Sequence, residues 1–167
     1  TGGDKNAFRE IVRRYEGTVA KTVIGMLGPC DDAEDVGQQA MIKVYRGLSS
    51  FKGDSAFKTY VTRIAMNTAL DELRRRDRAR RRFSFFSHHE EVNPMDGLTD
   101  PRDEMAGADA GQVVEKALSK LAPEFRAVVV LRLVEGYDAV EVAELLQISE
   151  GTVHSRLSRA RKQLIKF

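Results

Sequence analysis

The sequence lacks several features that would assign it to common classes of protein. Its 167 residues include a single cysteine, Cys30, so no disulfide can form within the chain, and such usage suits a reducing cytoplasm. No stretch approaches the roughly 18 consecutive apolar residues of a membrane-spanning helix, and no signal-peptide pattern opens the sequence. These absences favour a cytoplasmic protein that does not insert into a membrane.

Patterns of catalytic residues are missing as well. The chain contains carboxylates and three histidines, but it has no nucleophile–base spacing, no glycine-rich phosphate loop and no cluster of metal ligands. The adjacent pair His88-His89 lacks the i, i+4 spacing that sets two ligands on one face of a helix. We therefore expect no enzyme activity, no metal and no cofactor.

Charge is unevenly distributed along the chain, although the net charge is only +2. Residues 1–82 contain 17 Lys and Arg against 11 Asp and Glu, residues 83–111 contain 1 against 7, and residues 112–167 contain 9 against 7. The middle segment also has no sustained apolar period and contains proline and glycine. This pattern predicts two domains, 1–82 and 112–167, joined by an acidic linker, 83–111.

Helical periodicity runs through the first segment, and no strand pattern interrupts it. We expect Asp31-Asp32 to cap the second helix, and a polar loop, Phe51–Ser55, to precede the third. The third helix ends in seven arginines among the nine residues Arg74–Arg82. Such a density favours contact with phosphates. The predicted helices are Ala7–Leu27, Ala33–Leu48 and Ala56 to about Arg82.

The last segment ends in a helix-turn-helix pattern. An apolar stripe of Val140, Ala143, Leu145 and Leu146 is followed by the short turn Gln147–Gly151, in which Ser149 can cap the next helix. That next helix is apolar at every third or fourth position and otherwise polar and basic, which is typical of a DNA-recognition helix. Two shorter predicted helices, at 112–121 and 124–135, precede the motif. The expected fold is therefore all-α.

Four stretches make the sequence resemble the bacterial extracytoplasmic-function sigma factors, the two-domain members of the sigma-70 family. They are DDAEDVGQQ, FKGDSAFKTYVTRIAMNTALDELRR, LAPEFRAVVVLRLVEGYDAVEVAELL and GTVHSRLSRARKQL, in that order, with the irregular linker between the second and the third. The resemblance covers nearly the whole chain. It implies a sigma2-like domain at 1–82 and a sigma4-like helix-turn-helix domain at 112–167, with no catalysis of their own.

The resemblance implies that the first domain binds the clamp helices of RNA polymerase and opens the −10 element of promoter DNA. Unpaired bases are read by stacking on aromatic rings and by hydrogen bonds to their edges, and Phe51 and Asn67 supply such groups. The family usually carries Trp at the position of Tyr60, so Tyr60 keeps an aromatic wedge of smaller area. The implied −10 residues are Phe51, Lys52, Ser55, Tyr60, Arg63, Asn67, Arg74 and Arg75.

The helix that carries DDAEDVGQQ resembles the helix that binds the polymerase clamp. An acidic and amide face can pair with basic residues of a partner, and Gln39, where the family often has Glu, would form a hydrogen bond in place of an ion pair. Met41, Ile42 and Tyr45 are expected to widen the buried face of this helix. Helix capping is the alternative role of the acidic residues. The implied polymerase-binding residues are Asp32, Glu34, Asp35, Gln38 and Gln39.

The resemblance implies that the second domain reads the −35 element as duplex and lies on the polymerase flap. Arg159 is the candidate for a bidentate contact to guanine, and Arg156 and Arg161 are expected on phosphates. His154 replaces the usual Lys or Arg, which predicts lower or mildly pH-dependent affinity. Gln147 replaces a glycine of positive φ; a glutamine in that conformation costs about 1 kcal/mol, and a negative φ is the alternative, with a different turn. The implied −35 residues are His154, Ser155, Arg156, Ser158, Arg159 and Arg161.

Two further roles follow from the same resemblance. The acidic linker is implied to pass through polymerase channels that hold nucleic acid, although a solvated spacer is the alternative. Control by an anti-sigma factor is implied as well. The alternative function for the chain is that of an autonomous helix-turn-helix regulator, which would bind a −35-type duplex at nanomolar strength without polymerase.

Overall fold

Seven α-helices make up the part of the chain that the computed structural model describes, residues 5–53, 55–86 and 110–166. No strand is present among these residues, so the all-α prediction is confirmed. None of the described helices is both long and apolar enough to cross a membrane. The elements are α1 (Lys5–Leu27), α2 (Asp31–Gly47), a 3-10 turn (Leu48–Ser50), α3 (Phe57–Phe86), α4 (Ala110–Ser119), α5 (Pro123–Val129), a π-helical segment (Val130–Val134), α6 (Ala139–Leu146) and α7 (Glu150–Leu164).

Two helix ends differ from their predictions. The N-cap of α2 is Cys30, whose side chain makes no capping hydrogen bond, and Asp31 and Asp32 lie in the first turn. The prediction that these aspartates cap the helix is therefore wrong; inside the first turn they lie at the positive end of the helix dipole. α3 continues past Arg82 to Phe86, four residues beyond the predicted end. The rest of the predicted linker, 87–109, is outside the described residues.

The first three helices, which we term the amino-terminal half, surround an apolar core. Val23, Met26, Val44 and Val61 are all fully buried, and burial of each such side chain stabilises the fold by roughly 1.5–3 kcal/mol. Buried hydroxyls do not weaken this core, since Thr22 donates a hydrogen bond to the carbonyl oxygen of the residue four positions earlier, at 3.0 Å. The predicted spacing of apolar residues on α1, α2 and α3 therefore accounts for the core of the amino-terminal half.

The remaining four helices form the carboxyl-terminal half. α6 begins with a capping box, in which Asp138 accepts from the backbone of Glu141 and the Glu141 side chain accepts from the backbone of Asp138. Val142 and Leu145 then face the interior. Val140 is 53% exposed, so its predicted place in the apolar stripe is wrong, because the helix start fixed by the capping box turns it outward.

The turn between α6 and α7 has the conformation expected of a helix-turn-helix. Gln147 ends α6 with φ 54° and ψ 46°, the left-handed conformation that favours glycine. Ser149 caps α7 by accepting a hydrogen bond from the backbone of Thr152, at 3.2 Å. The predicted cap is confirmed, and so is the positive φ at Gln147.

The two halves share one continuous core. Val23 and Met26 of α1 belong to the same buried cluster as Val128, Val130 and Leu131 of α5 and the π-helical segment. α1 also contacts α4, and α3 contacts α5 and α6. The division into domains at 83–111 remains a prediction, and the packing of the two halves against each other is a feature that the periodicity of the sequence did not indicate.

Replacement of Gln147 by glycine is expected to raise the free energy of unfolding by roughly 0.5–1 kcal/mol, because glycine adopts the left-handed conformation without the clash of a Cβ. The same replacement at Gln39, in the exposed middle of α2, should lower it by roughly 1 kcal/mol. Urea unfolding of both variants measures this difference. Equal losses at the two positions would contradict the assignment of strain to Gln147.

Candidate nucleic-acid interface

One face of α3 is polar and basic along its exposed length. Arg63, Asn67 and Arg74 are exposed and lie within about 40° of one another around the helix, at about 100° per residue. Arg78 and Arg81 are also exposed and extend the same line, which we term the α3 stripe. From Arg63 to Arg81 it measures about 27 Å at 1.5 Å per residue. Neither Arg78 nor Arg81 was singled out from the sequence, although their helical spacing from Asn67 indicates the same face.

Ion pairs distinguish Arg76, which is paired with α2, from Arg74 and Arg75, which are paired within α3. Arg76 is mostly buried, donates to Glu72 at 2.9 Å and to Asp32 of α2 at 2.7 Å, and so joins the two helices. Arg75 forms a two-point pair with Glu72, and its hydrogen bond is the main reason that the pKa of the Glu72 carboxyl is lowered. Arg74 pairs with Asp71 at 3.2 Å. Exposed pairs of this kind contribute little to stability, so Arg74 and Arg75 can exchange a carboxylate for a phosphate.

An aromatic cluster supports the start of α3. The Phe51 ring lies 5.2 Å from Phe57 and 4.8 Å from Tyr60, and Tyr15 of α1 lies 5.1 Å from Phe57, between ring centroids. The Tyr60 hydroxyl packs directly against Gly47, so closely that a Cβ at Gly47 would overlap it. Phe51 is half-buried and keeps part of its ring exposed. Tyr60 therefore packs against the end of α2, and both Phe51 and Tyr60 are half-buried and keep part of their rings exposed.

The loop before α3 lies next to this cluster. Lys52 and Ser55 are exposed in it. Gly53 has φ 80°, a conformation that glycine adopts without strain. Asp54 is outside the described residues. The loop thus offers a cation and a hydroxyl beside the partly open ring of Phe51.

The outward face of α7 is hydrophilic. Val153 and Ala160 are buried on the opposite side, and Arg156 is half-buried at the edge. Lys162 lies one turn after Ser158 and was not singled out from the sequence; its spacing from His154 and Ser158 would have indicated it. The exposed residues, which we term the α7 face, are His154, Ser155, Ser158, Arg159, Arg161 and Lys162.

Two local contacts limit the groups on this face. Ser155 donates its hydroxyl hydrogen to the carbonyl oxygen of Thr152 at 3.0 Å, so its oxygen remains available as an acceptor. His154 Nε2 lies 3.5 Å from a carboxylate oxygen of Glu150, one turn earlier. The Glu150 carboxylate places a negative charge where a phosphate would approach. It therefore reduces the attraction of this part of the α7 face for a phosphate.

The outward face of α2 combines acidic, amide and apolar groups. All five predicted polymerase-binding residues are exposed, and Asp32 is also paired with Arg76. Ile42 is 49% exposed and Tyr45 50% exposed. The prediction that these two widen the buried face is therefore wrong, because their helical positions follow Asp35 and Gln38 around the same side. The exposed polar set is Asp32, Glu34, Asp35, Gln38 and Gln39.

A groove of about 770 Å³ lies between α1 and α2, next to this face. Its apolar lining includes Phe8, Val12 and Ile24 of α1. The charged residues that line it, Glu16, Asp31 and Glu34, are all acidic. The groove therefore suits a partner helix that is apolar on one side and basic at its edges.

Histidine, cysteine and carboxylate side chains are the groups that could hold a metal ion. No group of three or more His, Cys, Asp or Glu side chains is placed to hold an ion among residues 5–53, 55–86 and 110–166. The pair His88-His89 is outside these ranges. Cys30 is exposed, and its sulfur lies 4.0 Å from an Arg76 nitrogen.

Two family descriptions match the chain. Residues 11–79 match "Sigma-70 region 2", and residues 111–164 match "Sigma-70, region 4". The first range contains the α3 stripe up to Arg78 and the outward face of α2, and the second contains the helix-turn-helix.

Similar proteins are known from bacteria. The chain is 34% identical over 166 residues to the ECF RNA polymerase sigma-E factor of Escherichia coli strain K12, an alignment that covers 97% of this chain and 86% of the relative. It is 32% identical over 168 residues to the RNA polymerase sigma-H factor of Pseudomonas aeruginosa, covering 98% and 87%.

Two solved structures have a similar fold. CnrH in complex with the cytosolic domain of CnrY is 25% identical, with a TM-score of 0.67 over 98% of this chain and 88% of CnrH. The sigma factor RpoE of Bartonella quintana, solved with the anti-sigma factor NepR, is 23% identical, with a TM-score of 0.69 over 96% and 95%. The second likeness bears on the fold alone.

Replacement of Gly47 by alanine is expected to lower the free energy of unfolding by roughly 1–3 kcal/mol, because the new methyl group overlaps the Tyr60 hydroxyl. Tyr60→Phe removes that hydroxyl and should restore most of the loss in the double variant. Chemical unfolding of the four proteins of this cycle gives the coupling energy. Additive losses would show that the hydroxyl is not in this contact.

Proposed function

Because the chain belongs to the extracytoplasmic-function sigma factors of the sigma-70 family, we propose that it directs bacterial RNA polymerase to promoters by binding the −35 element as duplex and opening the −10 element. One observation carries this function: a single chain presents two separate exposed faces suited to nucleic acid, the α3 stripe and the α7 face. Sigma factors are not enzymes, and the chain has no catalytic role of its own. It acts in the cytoplasm, where polymerase and promoter DNA are found.

The α7 face reads the −35 element. A recognition helix contacts base edges mainly through its first turns, which places His154, Ser155 and Ser158 nearest to the bases. Arg159, one turn after Ser155, has the reach and the geometry for two hydrogen bonds to guanine. Arg156, Arg161 and Lys162 surround these residues and bind phosphates.

The α3 stripe and the loop before it open the −10 element. Arginines at helical spacing follow a phosphate backbone, and a positively charged groove of this kind also tracks the backbone of a single strand. Asn67, in the middle of the stripe, offers a donor and an acceptor to the edge of an unpaired base. The open part of the Phe51 ring provides a surface on which such a base stacks, with Lys52 and Ser55 beside it.

The outward face of α2 binds core RNA polymerase. Its carboxylates and amides pair with basic and polar groups on the clamp, while Ile42 and Tyr45 supply the apolar contact that a stable interface needs at its centre. Asp32 acts indirectly, because its pair with Arg76 fixes the start of α2 relative to α3. The carboxyl-terminal half lies on the flap.

Control by an anti-sigma factor is part of the same proposal. CnrH, 25% identical to this chain, was solved together with the cytosolic domain of CnrY. The acidic, apolar groove between α1 and α2 adjoins the polymerase-binding face, so a helix bound there would compete with polymerase. The acidic segment 83–111 adds a charge pattern suited to channels that hold nucleic acid.

The division of roles on the α7 face can be tested with two arginine variants. Arg159→Ala should relax sequence preference in the −35 element, since it removes a base contact, at a cost of about 1–3 kcal/mol on the preferred sequence. Arg161→Ala should weaken binding evenly across sequences and reduce the salt dependence by about one counterion. Binding of the polymerase complex to a −35 library at several salt concentrations measures both. Equal loss of discrimination from the two variants would contradict the assignment.

The polymerase-binding role of α2 can be tested by reversing one charge. Asp35→Lys should reduce binding of core polymerase at least about tenfold, because a like charge then faces the basic partner. Glu144→Lys, on the exposed side of α6, makes the same change of charge in the other half and serves as the control. Titration of labelled chain with core polymerase measures the affinity, and an unchanged affinity of the Asp35 variant would remove the assignment.

A further inference from the structure

The first residue of α7 is a glutamate that is exposed to solvent. Glu150 follows the Ser149 cap, and its side chain is 55% exposed. At about 100° per residue, Glu150, His154 and Ser158 lie within about 80° of one another around the helix. A recognition helix contacts base edges mainly through its first turns. Glu150 therefore lies beside the α7 face, at the end of the helix that is nearest to the bases.

Helix capping does not account for this carboxylate. The backbone N–H of Thr152 already donates to the Ser149 hydroxyl oxygen at 3.2 Å, and the two hydroxyl groups are hydrogen-bonded at 2.8 Å. The helix dipole favours any carboxylate in a first turn, and Glu124 of α5 is another example. In the part of the chain that the structure describes, the side chain paired with Glu150 is His154, whose Nε2 lies 3.5 Å from a carboxylate oxygen. A carboxylate has about four lone-pair sites, so Glu150 keeps capacity for a hydrogen bond from outside the chain.

A carboxylate at this end of α7 opposes DNA binding unless a base compensates for it. The residues of the α7 face are neutral or basic, and a duplex carries one negative charge per about 1.7 Å of its axis. Repulsion between the Glu150 carboxylate and the phosphates therefore lowers the affinity. An ionised carboxylate only accepts hydrogen bonds, so the group that compensates for it is an amino group on a base edge.

Cytosine is the base that suits this acceptor. In the major groove cytosine presents an amino group, whereas guanine presents two acceptors and thymine presents an acceptor and a methyl group. Adenine also has an amino group, but its N7 acceptor lies beside it and would face the second carboxylate oxygen. A carboxylate at Glu150 therefore favours cytosine and disfavours the other three bases.

His154 is placed to fix the direction of the Glu150 carboxylate. An exposed glutamate side chain is free to adopt several rotamers, and ordering it costs conformational entropy. His154 lies one turn later on the same side of α7, where side chains four residues apart meet. An imidazole that carries a hydrogen on Nε2 attracts the nearer carboxylate oxygen and leaves the other oxygen for a base.

We propose that Glu150 determines sequence specificity in the −35 element by accepting a hydrogen bond from the amino group of one cytosine, and that His154 is a positioning residue that directs the carboxylate toward that base. This inference rests on the proposed function, since it names a base that α7 reads. It adds one acidic contact to a surface whose other contacts are basic or neutral.

A library of −35 sequences tests the role of Glu150. The complex of core polymerase with the wild-type chain is expected to prefer cytosine at one position of the element by at least about fivefold over each other base. Glu150→Ala should reduce this preference to less than about twofold and leave the preferences at other positions unchanged. Glu150→Gln should move the preference at the same position toward adenine, because an amide matches the adjacent donor and acceptor of that base. Glu124→Ala removes an exposed first-turn carboxylate from another helix of the same half, and it should change no preference.

The outcomes of this test separate the inference from the proposed function. A Glu150→Ala chain that keeps the same preference for cytosine, whatever its overall affinity, would overturn the inference, because the carboxylate would then act only through its charge. A wild-type complex with no position that prefers cytosine would overturn it as well. A wild-type complex that selects no −35 sequence would count against the proposed function, and the inference would fall with it. Circular dichroism verifies that each variant keeps its helices.

A double-mutant cycle tests the positioning role of His154. With Glu150 present, His154→Ala should reduce the preference for cytosine at the same position by at least about twofold. In the Glu150→Ala chain, the same substitution should leave that position unchanged. A histidine that only binds a phosphate would instead weaken binding to all sequences evenly in both backgrounds. That result, or a change of preference confined to a different position, would contradict the positioning role.

Discussion

The guanidinium of Arg126 joins the amino-terminal half to the carboxyl-terminal half. It is buried between α1 and α4. It donates hydrogen bonds to the carbonyl oxygen of Met26, near the end of α1, and to that of Leu121, just after the end of α4. Burial lowers the pKa of this arginine, yet a guanidinium keeps its charge, and helix ends provide the partial negative charge that a buried cation requires. With its partners removed, such a charge would cost several kcal/mol. The end of α1, the end of α4 and the position of α5 are thereby fixed relative to one another.

The helix faces that we expect to bind partners are different from the faces that pack in the core. α1 contributes one side to the amino-terminal core and another to the contact with the π-helical segment. α2, α3 and α7 each bury one face and leave the other exposed. The exposed face of α2 is acidic and partly apolar, while those of α3 and α7 are basic. A protein surface and nucleic acid can therefore bind to separate faces of one small molecule.

Local features of the fold were predictable because they depend on neighbours in sequence. The helices followed from apolar spacing and the Ser149 cap from turn chemistry, while the left-handed Gln147 was implied by the resemblance to a helix-turn-helix that has glycine there. Features that depend on distant residues were not predictable in this way. Arg126 reads in the sequence as one more charged helical residue, and its contact with Met26, a hundred positions earlier, could not be seen there.

The candidate site shows the same limit. The sequence placed His154, Ser158 and Arg159 on one face of α7, and that face is exposed. The sequence could not show that Asp32 is taken by Arg76, because that pair joins two helices. Ile42 and Tyr45 were assigned to the core on hydrophobicity alone, since an apolar patch that binds a partner has the same composition as a buried face.

The central claim is that one chain gives core RNA polymerase the ability to recognise two promoter elements. Transcription in vitro by core polymerase and this chain, on a library of random upstream sequences, tests it most directly. The account predicts transcripts only when both proteins are present, from templates that share two short conserved elements at a constant spacing. Transcription that is independent of the chain, or a single enriched element that the chain binds at nanomolar strength without polymerase, would contradict it.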